Sequence, residues 1–126
     1  MALIDVIVEL EKAAEGSRAL DGAVAQQVGW RRKVENIKNE ANGETTRRVL
    51  WIVPNGHEDG KVPHFTTSFD DAMLAAVIVA PDDTRAVAFA DGEWTAVVGS
   101  GPYCQAETGP LALCVAALKF KAQQAS

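Results

Sequence analysis

A chain of 126 residues with 48% hydrophobic and 23% charged residues has the size and balance of one globular domain, which excludes a disordered or fibrous protein. The formal net charge is −5, and an acidic body excludes general nucleic-acid binding, which needs a broad basic surface. Two cysteines are too few for a disulfide framework, and no apolar run reaches the roughly 20 residues that span a bilayer.

Residues 2–15 place Leu3, Ile7, Leu10 and Ala14 at helical spacing, with Ile4 and Val8 widening the stripe. Asp5 and Glu9 interrupt this stretch and no basic region leads it, so it does not read as a secretory leader. A cytoplasmic protein with reduced thiols is expected. Gly16 reads as a C-cap and Ser17 as the N-cap of a second helix over 18–28, striped by Leu20, Val24 and Val28. So short a connection predicts an antiparallel helical hairpin.

After Trp30 the chain turns polar, and "NEANGETT" predicts a loop. Val34 and Ile37 fit either a helical turn or a strand. "RRVLWIVP", 47–54, predicts a strand whose apolar residues on both sides imply cover on both faces. "VPHFTT" reads as a short extended segment.

"PHFTTSFDDAM", 63–73, sets three hydroxyls ahead of a helix. Asp70 and Asp71 already complement the positive helix end, and a docked phosphate would meet both charges. Ser68 is therefore read as a cap rather than part of a phosphate cradle. Phe69, Met73, Leu74 and Val77 form the expected inward stripe, and "PDD" at 81–83 closes the helix.

In "TRAVAFADGEWTAVV", Asp91-Gly92 is the dipeptide a two-residue hairpin prefers. That register pairs Phe89 with Trp94 and Val87 with Ala96. "YCQAE", 103–107, predicts one more strand. "GPLALCVAALKFKAQQ" predicts a final helix, apolar nearly all round and so deeply packed, with Pro110 in its first turn and Cys114 as a small buried hydrophobe. Helices before, between and after these strands predict an α+β fold: an α-β-α sandwich, a small, mainly antiparallel sheet with helices on both faces.

Three segments also carry a likeness. They are "LEKAAEGSRALDGAVAQQVGW" (10–30), "PHFTTSFDDAM" (63–73) and "GPLALCVAALKFKA" (109–122). Together they resemble, in the same order, the small bacteriophage and prophage proteins that carry the phage α-β-α sandwich domain. That family usually has a threonine just before the proline of its closing helix. Gly109 stands there in this chain, so a side-chain cap is lost or passes to Thr108. The resemblance implies a fold and a phage or prophage origin, and no catalytic residues.

The soft ligands His57, His64, Cys104 and Cys114 are seven, forty and ten residues apart, unlike the short spacings of zinc sites. No P-loop, dinucleotide fingerprint or nucleophile–base pattern is present, so neither a cofactor nor an enzymatic activity is expected. The charge distribution offers one lead. Residues 30–48 carry +3, leaving −8 for the remainder. Arg31, Arg32, Arg47 and Arg48 lie among Trp30 and Trp51, with Tyr103 as a further flat surface. Guanidinium forks beside aromatic plates suit a nucleotide-type small molecule. The competing reading is that the tryptophans are core and the arginines merely solvated. Two functions follow: a non-enzymatic phage accessory protein that sequesters a nucleotide-type signal of host defence, or a protein-interaction module, homo-oligomeric or docking on a host protein. Apolar surface on the first helix pair would favour the second.

Overall fold

The computed structural model describes residues 2–54 and 60–124. Its elements in chain order are α1 (Leu3–Lys12), α2 (Arg18–Gln27), β1 (Arg31–Lys38), β2 (Thr45–Ile52), α3 (Phe69–Val79), β3 (Arg85–Ala90), β4 (Glu93–Val98), β5 (Cys104–Ala106) and α4 (Gly109–Gln124). The fold is α+β, with two small antiparallel sheets. β1 and β2 form a two-stranded ribbon, and β3-β4-β5 form a three-stranded sheet.

α4 organises the packing. Every residue from Gly109 to Leu118 is buried, as is Phe120. A helix apolar on all sides needs neighbours on all sides. α4 therefore packs on the three-stranded sheet, mainly on β4 and β5, and is flanked by α1 and α3. α1 also touches β5. At the other side, Arg85 of β3 donates to the Ala80 and Pro81 carbonyls that end α3, at 2.8 and 3.3 Å. The helical order α1-α4-α3 thus lies over the strand order β5-β4-β3. Helices cover one face of this sheet. On the other face Ala86 and Ala88 are exposed.

The hairpin has the expected register, with Phe89 opposite Trp94 and Val87 opposite Ala96. Asp91 and Gly92 have φ of 55° and 79°, the left-handed pair that matches the twist of the flanking strands. Thr108 takes over the cap of α4, its Oγ1 accepting from the Leu111 amide at 3.3 Å. Gly109 itself gives room: a Cβ there would overlap the Phe69 ring and come within 3.0 Å of Trp94.

Several expectations are corrected. In α1 the buried residues are Val6, Ile7 and Leu10, while Ile4 is 64% exposed. The inward face is thus rotated toward Val6. Ala13, not Gly16, is the C-cap of α1. The ambiguous segment at 31–38 is a strand. β2 is not covered on both faces along its length, because Val49 stands 42% exposed where the ribbon leaves the core. No strand forms at 62–67. The exposed apolar surface lies less on the first helix pair than on α3, where Leu74 and Ile78 are exposed.

Candidate functional site

Strand geometry decides what becomes of the basic-aromatic segment. Side chains alternate between the faces of a ribbon. β1 and β2 pair Arg32 with Trp51, Val34 with Val49 and Asn36 with Arg47, so these share one face. Arg31 and Arg48 fall on the other, opposite Ile52 and Glu35. The four arginines therefore do not converge. Trp30 is only 7% exposed and belongs to the core cluster, so it offers no face to a ligand. Tyr103 is 80% exposed but sits beside β5, bordering a separate hollow with Ala86, Ala88 and Val97.

Arg32 and Trp51 are the pair the fold brings to a concavity. They face α2 across an open groove of about 330 Å³. α2 supplies Ala19, Gly22 and Ala23 as its floor, with Arg18 and Gln26 at its borders. These positions recur at helical spacing on the side of α2 away from the buried Val24. Small side chains there let the indole settle close: a Cβ on Gly22 would lie 3.4 Å from Trp51 Cζ2. Arg32 is exposed.

Arg18 is spoken for. Its Nη1 donates to Asp21 Oδ2 at 2.8 Å and lies 3.2 Å from His64 Nδ1, and its Nη2 donates to the Val62 carbonyl at 2.8 Å. Asp21 is fully buried. Its Oδ1 accepts from the Thr66 hydroxyl at 2.6 Å and the Thr66 amide at 2.8 Å. Thr66 Oγ1 in turn accepts from the Ser17 amide at 3.0 Å. Burial of a carboxylate is tolerable only with such a set of donors.

This junction settles the three hydroxyls of 66–68. Ser68 is the N-cap of α3, accepting from the Asp71 amide at 3.3 Å. Asp71 Oδ2 accepts from the His64 amide at 2.7 Å. Thr66 is a buried tie to α2, and Thr67 is exposed. No phosphate cradle remains among them.

Both thiols are buried and held above the usual thiol range, chiefly by desolvation. For Cys104, Lys119 works in the opposite direction, and for Cys114 the Asp21 charge adds to the rise. Cys114 Sγ donates to the Phe65 carbonyl at 3.1 Å. Neither thiol is poised as a nucleophile. His57 lies outside the described residues. Among those described, no group of three potential metal ligands converges, and no helix is long and apolar enough to cross a membrane.

Sequence reasoning had singled out Arg32 and Trp51 but missed Gly22 and Gln26. The signal was available: Ala19, Gly22 and Ala23 form a small-residue strip on the side of α2 not striped by Leu20 and Val24. No family model matches the chain, and no curated protein or solved structure matches it either.

Proposed function

We propose that the protein is a non-catalytic receptor for a nucleotide-type small molecule, held in the groove between α2 and the β1-β2 ribbon. The observation that carries this reading is the cross-strand pairing of Arg32 with Trp51 directly over the small-residue face of α2. A nucleobase stacks on the exposed part of the indole, and Arg32 takes a phosphate in its planar fork. The groove volume of about 330 Å³ falls at the small end of ligand sites, which suits one nucleotide unit. Arg47 lies on the same face of the ribbon, four residues along β2 from Trp51, and does not line the groove. Set beside the resemblance to phage proteins, the ligand class becomes a nucleotide signal of host defence, and the role its sequestration.

The test is a thermal-shift and calorimetric panel of cyclic nucleotides and ADP-ribose derivatives. A binder at about 100 times its Kd stabilises the fold by about 2.7 kcal/mol, a shift of several degrees. Arg32→Ala abolishes the shift, while Arg31→Ala, on the opposite face, keeps it. Absence of binding across the panel, or equal loss in both variants, defeats the reading.

A further inference from the structure

Among the described residues, the three-stranded sheet has two outer strands, and only one is left unprotected. β5 is three residues long and α1 lies against it. Short, covered edges do not recruit further strands. The ribbon strands are studded with charge: Arg31, Arg32, Lys33, Glu35 and Lys38 on β1 alone. β3 reads RAVAFA, six residues paired without a bulge, with no proline and no lysine. Its one charge, Arg85, is turned back onto the end of α3.

The free hydrogen-bonding groups of β3 can be placed. The two-residue turn makes Ala90 and Glu93 a hydrogen-bonded pair, and Gly99 donates to the Thr84 carbonyl at 2.6 Å at the far end of the same ladder. Alternation between those ends leaves the N–H and C=O groups of Arg85, Val87 and Phe89 pointing away from β4. Phe89 is 59% exposed.

Above this edge lies a second apolar surface. α3 turns Ala72, Ala75 and Ala76 inward toward α4. Its opposite side carries Leu74 and Ile78, both exposed, with Val77 half-buried between them. The N-terminal end of α3 is fixed over the hairpin tip by the Phe69–Trp94–Phe89 ring contacts, at 5.4 and 4.9 Å. Its C-terminal end is fixed at Arg85. The helix therefore runs along the length of the open strand.

We infer that this wall is a homodimer interface, in which β3 pairs antiparallel with β3 of a second copy about a two-fold axis at Val87. The occupant is a second copy because the wall is self-complementary. Pairing about Val87 sets Arg85 against Phe89 of the partner subunit, so no like charges meet across the ladder. The same axis sets the two α3 helices antiparallel, with Leu74 and Ile78 facing their counterparts. It also brings Asp70 and Asp71, in the first turn of α3, toward Arg85 of the partner subunit. Backbone pairing, apolar contact and opposite charge then coincide on one surface, as a closed isologous contact requires. This inference is independent of the ligand reading.

Sedimentation velocity of the full chain from about 1 to about 100 µM tests it, since dimerisation follows mass action. The expected mass rises from 13.4 kDa toward twice that value. Leu74→Lys with Ile78→Lys holds the protein at the single-chain mass with unchanged circular dichroism. Val87→Pro does the same, because the N–H it removes points away from β4. If the proline variant fails to fold, the α3 pair decides alone. A wild-type protein that stays at 13.4 kDa throughout overturns the inference, even if its edge accepts a strand of another protein. So does a dimer that the α3 substitutions leave intact.

Discussion

One oxygen of the Asp21 carboxylate accepts both the hydroxyl and the backbone amide of Thr66, at 2.6 and 2.8 Å, across 45 residues of sequence. This contact locks α2 to the segment that leads into α3. Without it, the Thr66 amide would be a buried donor with no acceptor, and such groups are costly.

Thr66→Val tests the tie. The substitution keeps the shape but removes the hydroxyl that bridges Asp21 and the Ser17 amide. The expected loss is about 1–3 kcal/mol in urea unfolding. Asp21→Asn weakens the same bonds. Arg18, its other partner, has a side chain 55% exposed, so water takes over that guanidinium and the loss stays below that of a wholly buried ion pair. The double variant loses less than the sum of the two singles. A Thr66→Val protein within about 0.5 kcal/mol of wild type would show that the junction does not anchor α2.

Two glycines on either side of α2's start make opposite predictions. A Cβ on Gly16 would overlap the Thr66 carbonyl and lie 2.7 Å from its Oγ1. Gly16→Ala therefore forces the junction apart and lowers stability by about 1–3 kcal/mol. Gly22, inside α2, meets only the edge of the Trp51 indole at 3.4 Å. Gly22→Ala keeps or raises stability, since glycine within a helix costs about 0.5–1 kcal/mol relative to alanine. It also raises the floor of the groove, so the proposed nucleotide binding is expected to weaken while the melting temperature of the free protein does not fall. Equal melting temperatures for both alanine variants would contradict the close approach at Gly16.

The contrast between these sites shows which features the sequence exposes. α4, the caps at Ser17, Ser68 and Thr108, and the Asp91-Gly92 hairpin were legible because each is set by neighbours a few residues apart. β1 was ambiguous because its residues are mostly exposed on both faces, and periodicity emerges only where one face is buried. Val49 reads as half of a doubly covered strand because it is apolar, whereas among the described residues no layer covers the ribbon there. Within the candidate site, the arginines and Trp51 were visible as residue types. Their division between faces depended on the register of Arg32 with Trp51, which local sequence does not encode. Thr66 reads only as one of three hydroxyls ahead of α3, Asp21 carries no signal of its own, and only the tertiary contact reveals them as partners.

The buried thiol of Cys114 predicts how the fold responds to alkali. Desolvation, helped by the nearby Asp21 charge, raises its pKa in the folded protein. In the unfolded chain the thiol titrates near about 8.5. Below that pH both states hold the proton, and the contribution of the group to stability is fully present. Above it the unfolded chain releases the proton while the folded protein keeps it, so each further pH unit removes up to about 1.4 kcal/mol. The loss continues until the folded thiol itself ionises. Urea midpoints are therefore flat in this respect to about pH 8 and fall beyond it. Cys114→Ala lowers stability at neutral pH by opening a small cavity in α4's packing, and also loses the donation to the Phe65 carbonyl. Its midpoint then declines less steeply with alkali, because the titrating group is gone. Cys104, also raised by burial, adds a parallel decline that Cys104→Ala isolates. A wild-type midpoint as steady at pH 10 as at pH 7 would contradict the burial of both thiols.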